Sequence, residues 1–148
     1  TPLMIGHGMT AISALKTVED RYLDHIHSIF KAAGDVRVVD ESFLDTITAL
    51  SGSGPAFFYR IVESFATEAV AQGMAYDDAV AFVSQTLIGA GHMIQESGKT
   101  CNELISQVKS PGGTTAAGLD VFDHSDLDVH LQTVIRESIK RAEELAKG

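Results

Sequence analysis

The chain has 148 residues, of which 45% are apolar and 21% charged, and 11 basic against 20 acidic residues give a net charge of −9. This size and apolar content predict one folded domain, or one domain and a fraction of another, and they exclude a disordered chain. An acidic chain without a basic cluster is not expected to bind nucleic acid, and the most apolar run, 79–94, is interrupted by polar side chains, which argues against a membrane span.

The first forty residues predict a strand, a helix and a second strand. The strands are predicted over 9–14 and 36–39, and an amphipathic helix over 18–33 is predicted to stop at Gly34. Such a run is typical of the tail of an α/β domain. Because the sequence opens without methionine and shows no amphipathic period over 1–15, we expect it to be the carboxy-terminal part of a longer protein.

From residue 41 onward the apolar spacing is helical. Six helices are predicted, over 42–50, 55–72, 77–96, 101–108, 114–123 and from 125 to the end. Pro55 is expected to open the second helix and Gly73 to stop it, and a capping box at Thr100 and Glu103 is expected to open the fourth. A turn over 51–54 is predicted to separate the first two. The helix over 77–96 is apolar nearly all round, so we expect a second subunit to cover it.

Two glycine-rich stretches, 51–54 and 110–115, each precede a predicted helix. In the second stretch Pro111 ends one helix and two glycines turn the chain into the next. A helix that opens this way presents free N–H groups and a positive dipole end, which favours an anion. The same residues also suit a plain helix–helix corner with a threonine cap, and the spacing alone leaves both interpretations open.

Other chemistry receives little support from the residue spacing. The six histidines lack metal-ligand spacing, and no metal site is expected. The single cysteine, Cys101, forms no internal disulfide, fits a reducing compartment and has no basic neighbour in sequence that would activate it. Neither glycine-rich stretch holds a general acid or base. A pocket built from them would suit a reaction in which a cofactor does the chemistry and the protein positions the substrate.

The segments 50–57, 96–99 and 110–115, together with 6–11 near the start, resemble the carboxy-terminal part of pyrroline-5-carboxylate reductases. The likeness covers all 148 residues. The amino-terminal half of that family, which carries the glycine fingerprint for the dinucleotide, has no counterpart here.

The resemblance implies a mainly helical fold, with 1–40 as the terminal strand–helix–strand of a Rossmann domain. Residues 41–148 would form an all-helical domain that interlocks with a second subunit and binds substrate. It also implies reduction of 1-pyrroline-5-carboxylate to L-proline with NADPH or NADH, the last step of proline biosynthesis. The expected protein is a cytoplasmic homo-oligomer, a dimer or a decamer of dimers, and the 148-residue fragment by itself is expected to be inactive.

The family's substrate loop matches 110–115. By that match the backbone N–H groups of Thr114 and Thr115 and the Ser110 hydroxyl would hold the substrate carboxylate, with Gly112 and Gly113 shaping the loop. The Thr115 hydroxyl would hydrogen-bond the ring nitrogen. The residues implied to lie beside the nicotinamide are Ser53, Gly54 and Pro55.

Two alternatives stay open. A β-hydroxyacid dehydrogenase also pairs a Rossmann domain with helices, but it uses a lysine on the first helix after the junction, and 55–60 contains none. A helical dimerisation module without catalysis is the alternative from another class, because the chain lacks a dinucleotide fingerprint.

Overall fold

The computed structural model describes residues 1–148 and is mainly helical, as predicted. Its elements, in chain order, are β1 (Gly8–Ile12), α1 (Asp20–Lys31), β2 (Gly34–Val38), α2 (Leu44–Ile47), α3 (Gly54–Ala71), α4 (Tyr76–Glu96), α5 (Cys101–Val108), α6 (Thr114–Asp123) and α7 (Leu127–Ala146). Short 3-10 segments cover Pro2–Ile5 and Glu41–Phe43. No helix is both long enough and apolar enough to cross a membrane.

The chain divides into two compact units. The first unit comprises Thr1–Phe57 and Gln132–Gly148, and the second comprises Phe58–Leu131. In the first unit β1 and β2 pair in parallel, with Gly8 opposite Gly34. Helix α1 forms the crossover between them, which is the connection that parallel neighbours need. The strand–helix–strand prediction is therefore confirmed.

Gly34 has a different role from the predicted one. Helix α1 ends at Lys31 with Ala32 as its cap, and Gly34 opens β2. A Cβ at Gly34 would collide with the backbone of Gly8 on the paired strand. The glycine is required by close approach of two strands, because only a residue without a side chain lets the backbones meet there.

The turn predicted over 51–54 is wrong. Residues Thr48–Ser53 form a π-helical segment that continues α2 directly into α3. The physical reason is Pro55, which has no N–H to donate and whose ring crowds the carbonyl of Ser51 one turn earlier. A π segment widens the helix at this point, so the chain passes the proline without breaking.

The second unit contains α4 and α5 complete, and the predicted boundaries of both helices are confirmed. Gly73, with φ of 95°, follows the end of α3, and the capping box between Thr100 and Glu103 opens α5 as expected. One side-chain hydrogen bond joins α3 to α4: the Tyr76 hydroxyl donates to Glu63 Oε2 at 2.7 Å. This hydrogen bond to the neighbouring Glu63 carboxylate raises the pKa of Tyr76 above its ordinary value.

Very little of the apolar content is buried in a single chain. The buried apolar residues are Val36, Ala49, Ala66 and Ala79, and no large side chain is fully buried. Helix α4 illustrates this lack of burial, since its Phe82 side chain is 68% exposed. The residues predicted to need a second subunit are therefore uncovered in the isolated chain.

Candidate functional site

The loop between α5 and α6 is a tight, glycine-dependent corner. Helix α5 ends at Val108, and the N–H of Gly113 donates to the Ser110 carbonyl at 3.0 Å to close the turn. Gly112 has φ of 69°, in the left-handed region that side chains rarely adopt. The two glycines thus reverse the chain within four residues, as the sequence predicts.

Helix α6 begins without a side-chain cap. Gly113 is its N-cap in an extended conformation, φ −80° and ψ 170°, and no side chain accepts a hydrogen bond from the first turn. The first intrahelical bond runs from the N–H of Ala117 to the Gly113 carbonyl. The preceding N–H groups, on Thr114, Thr115 and Ala116, have no partner within the helix. They form a donor cluster at the positive end of the helix dipole.

The Ser110 hydroxyl lies beside this donor cluster. A Cβ placed on Gly113 would collide with Ser110 Oγ, so the absence of a side chain at Gly113 is what lets the hydroxyl come so close. Thr115 is half-buried, whereas Ser110 and Thr114 are exposed. The loop therefore offers backbone and hydroxyl donors from both of its ends, and 110–115 contains no acid or base. Such a set suits a bound carboxylate.

The segment around residue 51 belongs to the first unit and borders a cleft of about 250 Å³ with a mixed polar and apolar lining. The residues lining the cleft are Thr1, Pro2, Leu3, His7, Gly8, Met9, Ser51 and Gly52. Of the residues predicted to lie near a nicotinamide, Ser53 and Pro55 are half-buried and Gly54 is buried in the helix, one turn or less beyond the cleft-lining residues. The sequence analysis does not predict the lining residues from 1–9 as site residues. The closely spaced Gly6 and Gly8 are the one feature of the sequence that marks this segment.

The two predicted site segments lie in different units, the loop at 110–115 in the second and 51–55 in the first. That they contribute to one pocket stays a prediction. No group of three or more His, Cys, Asp or Glu side chains is placed to hold a metal ion. Cys101 is a free, exposed thiol.

Residues 41–145 match the family model for pyrroline-5-carboxylate reductase dimerisation. The chain is 36% identical over 147 residues to a pyrroline-5-carboxylate reductase of Synechocystis, covering 99% of this chain and 55% of the relative. It is 35% identical over 146 residues to the enzyme of Pisum sativum, covering 99% of this chain and 54% of the relative. The chain thus spans about half the length of these curated relatives.

Solved structures agree with the fold. A pyrroline-5-carboxylate reductase from Coxiella burnetii superposes with a TM-score of 0.93 at 33% identity, over 98% of this chain and 54% of that one. A Plasmodium falciparum pyrroline carboxylate reductase, solved with NADP bound, gives a TM-score of 0.88 at 26% identity, over 97% of this chain and 55% of that one. The family match and the near-complete coverage lead to one conclusion: the chain belongs to the pyrroline-5-carboxylate reductase family.

Proposed function

We propose that this chain is the substrate-binding and dimerising half of an NAD(P)H-dependent reductase that converts 1-pyrroline-5-carboxylate to L-proline, the last step of proline biosynthesis. The observation that carries the proposal is the donor cluster at 110–115, in a chain whose relatives are named for this reaction. The substrate is a small cyclic imine with one carboxylate, and the loop offers donors of the kind that a carboxylate requires.

The carboxylate is held by the first turn of α6. The backbone N–H groups of Thr114 and Thr115 have no partner within the helix, and the Ser110 hydroxyl approaches over Gly113. Hydrogen bonds to a charged group contribute about 1.5–3 kcal/mol each. Gly112 and Gly113 act indirectly, since they allow the backbone to adopt the turn that brings these donors together.

The Thr115 hydroxyl then hydrogen-bonds the ring nitrogen. Thr115 is half-buried in the first turn of α6, and its β-branched side chain has few rotamers, so its hydroxyl is held in a narrow range of directions. A carboxylate and a ring nitrogen fixed together leave the ring with one orientation. Positioning of this kind can lower a barrier by several kcal/mol, up to roughly 7–11 in the best cases.

The cofactor, NADPH or NADH, supplies a hydride to the imine carbon when it is bound. The residues present fit only its nicotinamide end, because the chain has no glycine fingerprint for the phosphates. The cleft lined in part by Ser51 and Gly52 offers a small concave surface where glycine permits close approach. We assign Ser53, Gly54 and Pro55, which follow directly in the chain, to the surroundings of the nicotinamide.

The same proposal includes the domain division. Residues 1–40 would be the end of a nucleotide-binding domain, supported by the parallel β1–α1–β2 unit, and 41–148 the helical domain, supported by a family match that starts at 41. The protein would act as a homodimer, alone or within a decamer. A reducing, cytoplasmic location is supported by the exposed free thiol of Cys101.

The test is NADPH oxidation with 1-pyrroline-5-carboxylate, measured side by side on this chain and on a protein that joins it to a nucleotide-binding half. We expect activity only in the joined protein, because the isolated chain lacks the fingerprint. Activity of the isolated chain would contradict this division of labour. No activity in either, with the chain still dimeric, would favour the helical dimerisation module.

A further inference from the structure

The π-helical segment Thr48–Ser53 borders the cleft of about 250 Å³ in the first unit. Ser51 and Gly52 are the two residues of this segment that line the cleft, and the other lining residues come from 1–9. Single π turns inside α-helices are rare and occur mostly at functional sites. The unusual helical geometry and the cleft therefore meet at the same two residues.

Two buried residues fix the register of this π turn. Ala49 is 0% exposed, and Gly54, five residues later, is also buried. A Cβ at Gly54 would lie 4.0 Å from the Ala49 carbonyl oxygen, so the two residues stand one turn apart on the same side. A regular α-helix advances about 100° per residue and would place them about 140° apart. The π turn thus keeps both residues buried and leaves Ser51 and Gly52, near its middle, on the side away from them.

Pro55 opposes the regular α-helical alternative. In an α-helix residue 55 would donate its N–H to the carbonyl of Ser51, but proline has no N–H and its ring crowds that carbonyl. A π segment pairs residues five apart instead of four, and this is the geometry that the chain before Pro55 adopts. Pro55 therefore favours the π turn at the point where the cleft needs it.

The Ser51 hydroxyl is available to a ligand in the cleft. Other helical hydroxyls donate to the carbonyl four residues back, as Thr48 does to Leu44 and Ser64 does to Arg60, each at 2.9 Å. Ser51 makes no such hydrogen bond and is half-buried at the wall of the cleft. A serine hydroxyl both donates and accepts. It therefore suits a carboxamide, which also offers a donor and an acceptor.

We propose that Pro55 is a positioning residue for the cofactor: it holds Thr48–Ser53 in π geometry and so keeps the Ser51 hydroxyl on the cleft, where this hydroxyl hydrogen-bonds the nicotinamide carboxamide. The inference rests on the proposed function, which assigns 53–55 to the surroundings of the nicotinamide, and it adds which group makes the contact and what holds it in place. An unbroken α-helix would have to expose Ala49 or Gly54, and Ser51 would rotate with the part of the helix that moves.

The first experiment measures NADPH affinity by fluorescence titration, without substrate, on the protein that joins this chain to a nucleotide-binding half. Ser51→Ala should weaken binding about 3- to 10-fold, the usual effect of losing one hydrogen bond. Pro55→Ala should weaken it to a similar extent, and the double variant should bind no more weakly than the weaker single variant, because Pro55 acts through Ser51. Unchanged affinity in Ser51→Ala, or additive losses, would overturn the proposal.

The matched control is Ser64→Ala, which makes the same substitution on α3 at a serine outside the cleft. The Ser64 hydroxyl is already bonded to the Arg60 carbonyl, and its removal should leave NADPH affinity unchanged. A loss of affinity as large as that of Ser51→Ala would show that the effect does not depend on the cleft, and would count against the proposal.

A second readout separates positioning from a general structural role. Pro55→Ala should raise KM for NADPH while KM for 1-pyrroline-5-carboxylate changes little. The melting temperature should not fall, since alanine is the better helix former. If Pro55 serves only to stabilise the fold, its replacement should lower the melting temperature and raise both KM values. That result would overturn the proposal.

A further variant removes the π turn while it keeps both buried residues in register. Deletion of Gly52 together with Pro55→Ala brings Ala49 and Gly54 to a spacing of four, which lies on one face of a regular α-helix. Circular dichroism and the melting temperature should therefore stay close to those of the parent protein. NADPH binding should weaken at least as much as in Pro55→Ala. Undiminished binding by this folded variant would show that the π turn is not needed.

The titration requires no turnover, so the two proposals fail in different ways. A joined protein that binds NADPH through Ser51 yet does not reduce 1-pyrroline-5-carboxylate would refute the proposed function alone. A working reductase whose NADPH affinity is unchanged by Ser51→Ala and Pro55→Ala would refute the positioning role alone.

Discussion

The stretches 51–55 and 110–115 share serine, glycine and proline, and only the second also contains threonine. The first stretch continues a helix, whereas the second interrupts one. In the second stretch Pro111 comes before the glycines, α5 ends, and Gly112 turns left-handed at φ of 69°. In the first stretch the glycines come before Pro55, keep helical angles, and the helix continues through a π segment.

The difference shows that the order of proline and glycine, more than their number, decides whether a helix ends or continues at such a stretch. A proline followed by glycines ends a helix and leaves room for a reversal, because the chain has lost a donor and next meets residues free to turn. Glycines followed by a proline leave the preceding turns able to hydrogen-bond, and the missing donor is absorbed by widening the helix. Only the order with proline before the glycines, found in 110–115, exposes a new helix N-terminus.

The largest expected effect concerns Thr115, in the loop at 110–115. In a protein that joins this chain to a nucleotide-binding half, Thr115→Ala should lower kcat about 100-fold, the usual cost of removing one donor that acts on the transition state. Thermal stability should change little, since Thr115 is only half-buried. The measurements are initial rates of NADPH oxidation and the melting temperature. Thr115→Ser is the control and should restore much of the rate. If Thr115→Ala lowered the melting temperature as markedly as it lowered kcat, the interpretation of 110–115 as a helix–helix corner without a ligand would be favoured.

The second prediction concerns the Ser110 hydroxyl. Gly113→Ala should displace it, because the new Cβ would occupy its position. We expect KM for 1-pyrroline-5-carboxylate to rise about 10-fold or more, as for the loss of one hydrogen bond to a charged group. Ser110→Ala should have a similar effect, and the double variant should be no worse than either single one. Additive effects would show that the two residues act separately.

The third prediction compares glycines from the two stretches by urea unfolding. Gly112→Ala should destabilise the chain by about 1–2 kcal/mol, because alanine is strained at a left-handed φ. Gly52→Ala should instead be neutral or stabilise by up to about 1 kcal/mol, since Gly52 lies in a helical segment where the nearest atom to a new Cβ is 3.8 Å away. Destabilisation of similar size by both would contradict the contrast between the stretches.

The smallest expected effect concerns α5, the helix that precedes the loop at 110–115. Thr100→Ala should cost about 1 kcal/mol by removing the N-cap of α5. Hydrogen bonds from the backbone and then the side chain of Thr100 hold the pKa of Glu103 below its ordinary 4.5.

A lowered folded-state pKa stabilises the native state above about pH 4.5, and this contribution disappears as the pH falls through the lowered value. The difference in stability between the parent chain and Thr100→Ala should therefore narrow below pH 4.5. The check is urea unfolding at pH 7 and pH 3.5, with Glu103→Gln as a control that removes the titration. A difference independent of pH would show that the Thr100 hydroxyl does not act through the Glu103 carboxylate, since the variant keeps the backbone N–H that also donates to this carboxylate.

Local signals allowed most of the fold to be predicted from the sequence. The capping box at Thr100, the stop at Gly73 and the corner at 110–115 each depend on residues within a few positions of one another, and each is confirmed. Of the predicted loop residues, Thr114 and Thr115 contribute backbone N–H groups to the donor cluster at the start of α6. Their roles toward a substrate stay predictions, as do those of Ser53, Gly54 and Pro55.

The sequence by itself determined the order of elements, the limits of α4 and α5 and the turn at 110–115, because hydrogen bonds and backbone angles within one turn decide them. Tertiary structure alone decided two other features. Gly34 serves a strand pair because Gly8 lies opposite it, and the apolar faces of α3 to α5 remain uncovered in the single chain. Each depends on which distant backbone or side chain lies nearby, and apolar periodicity shows that a face needs covering without showing what covers it.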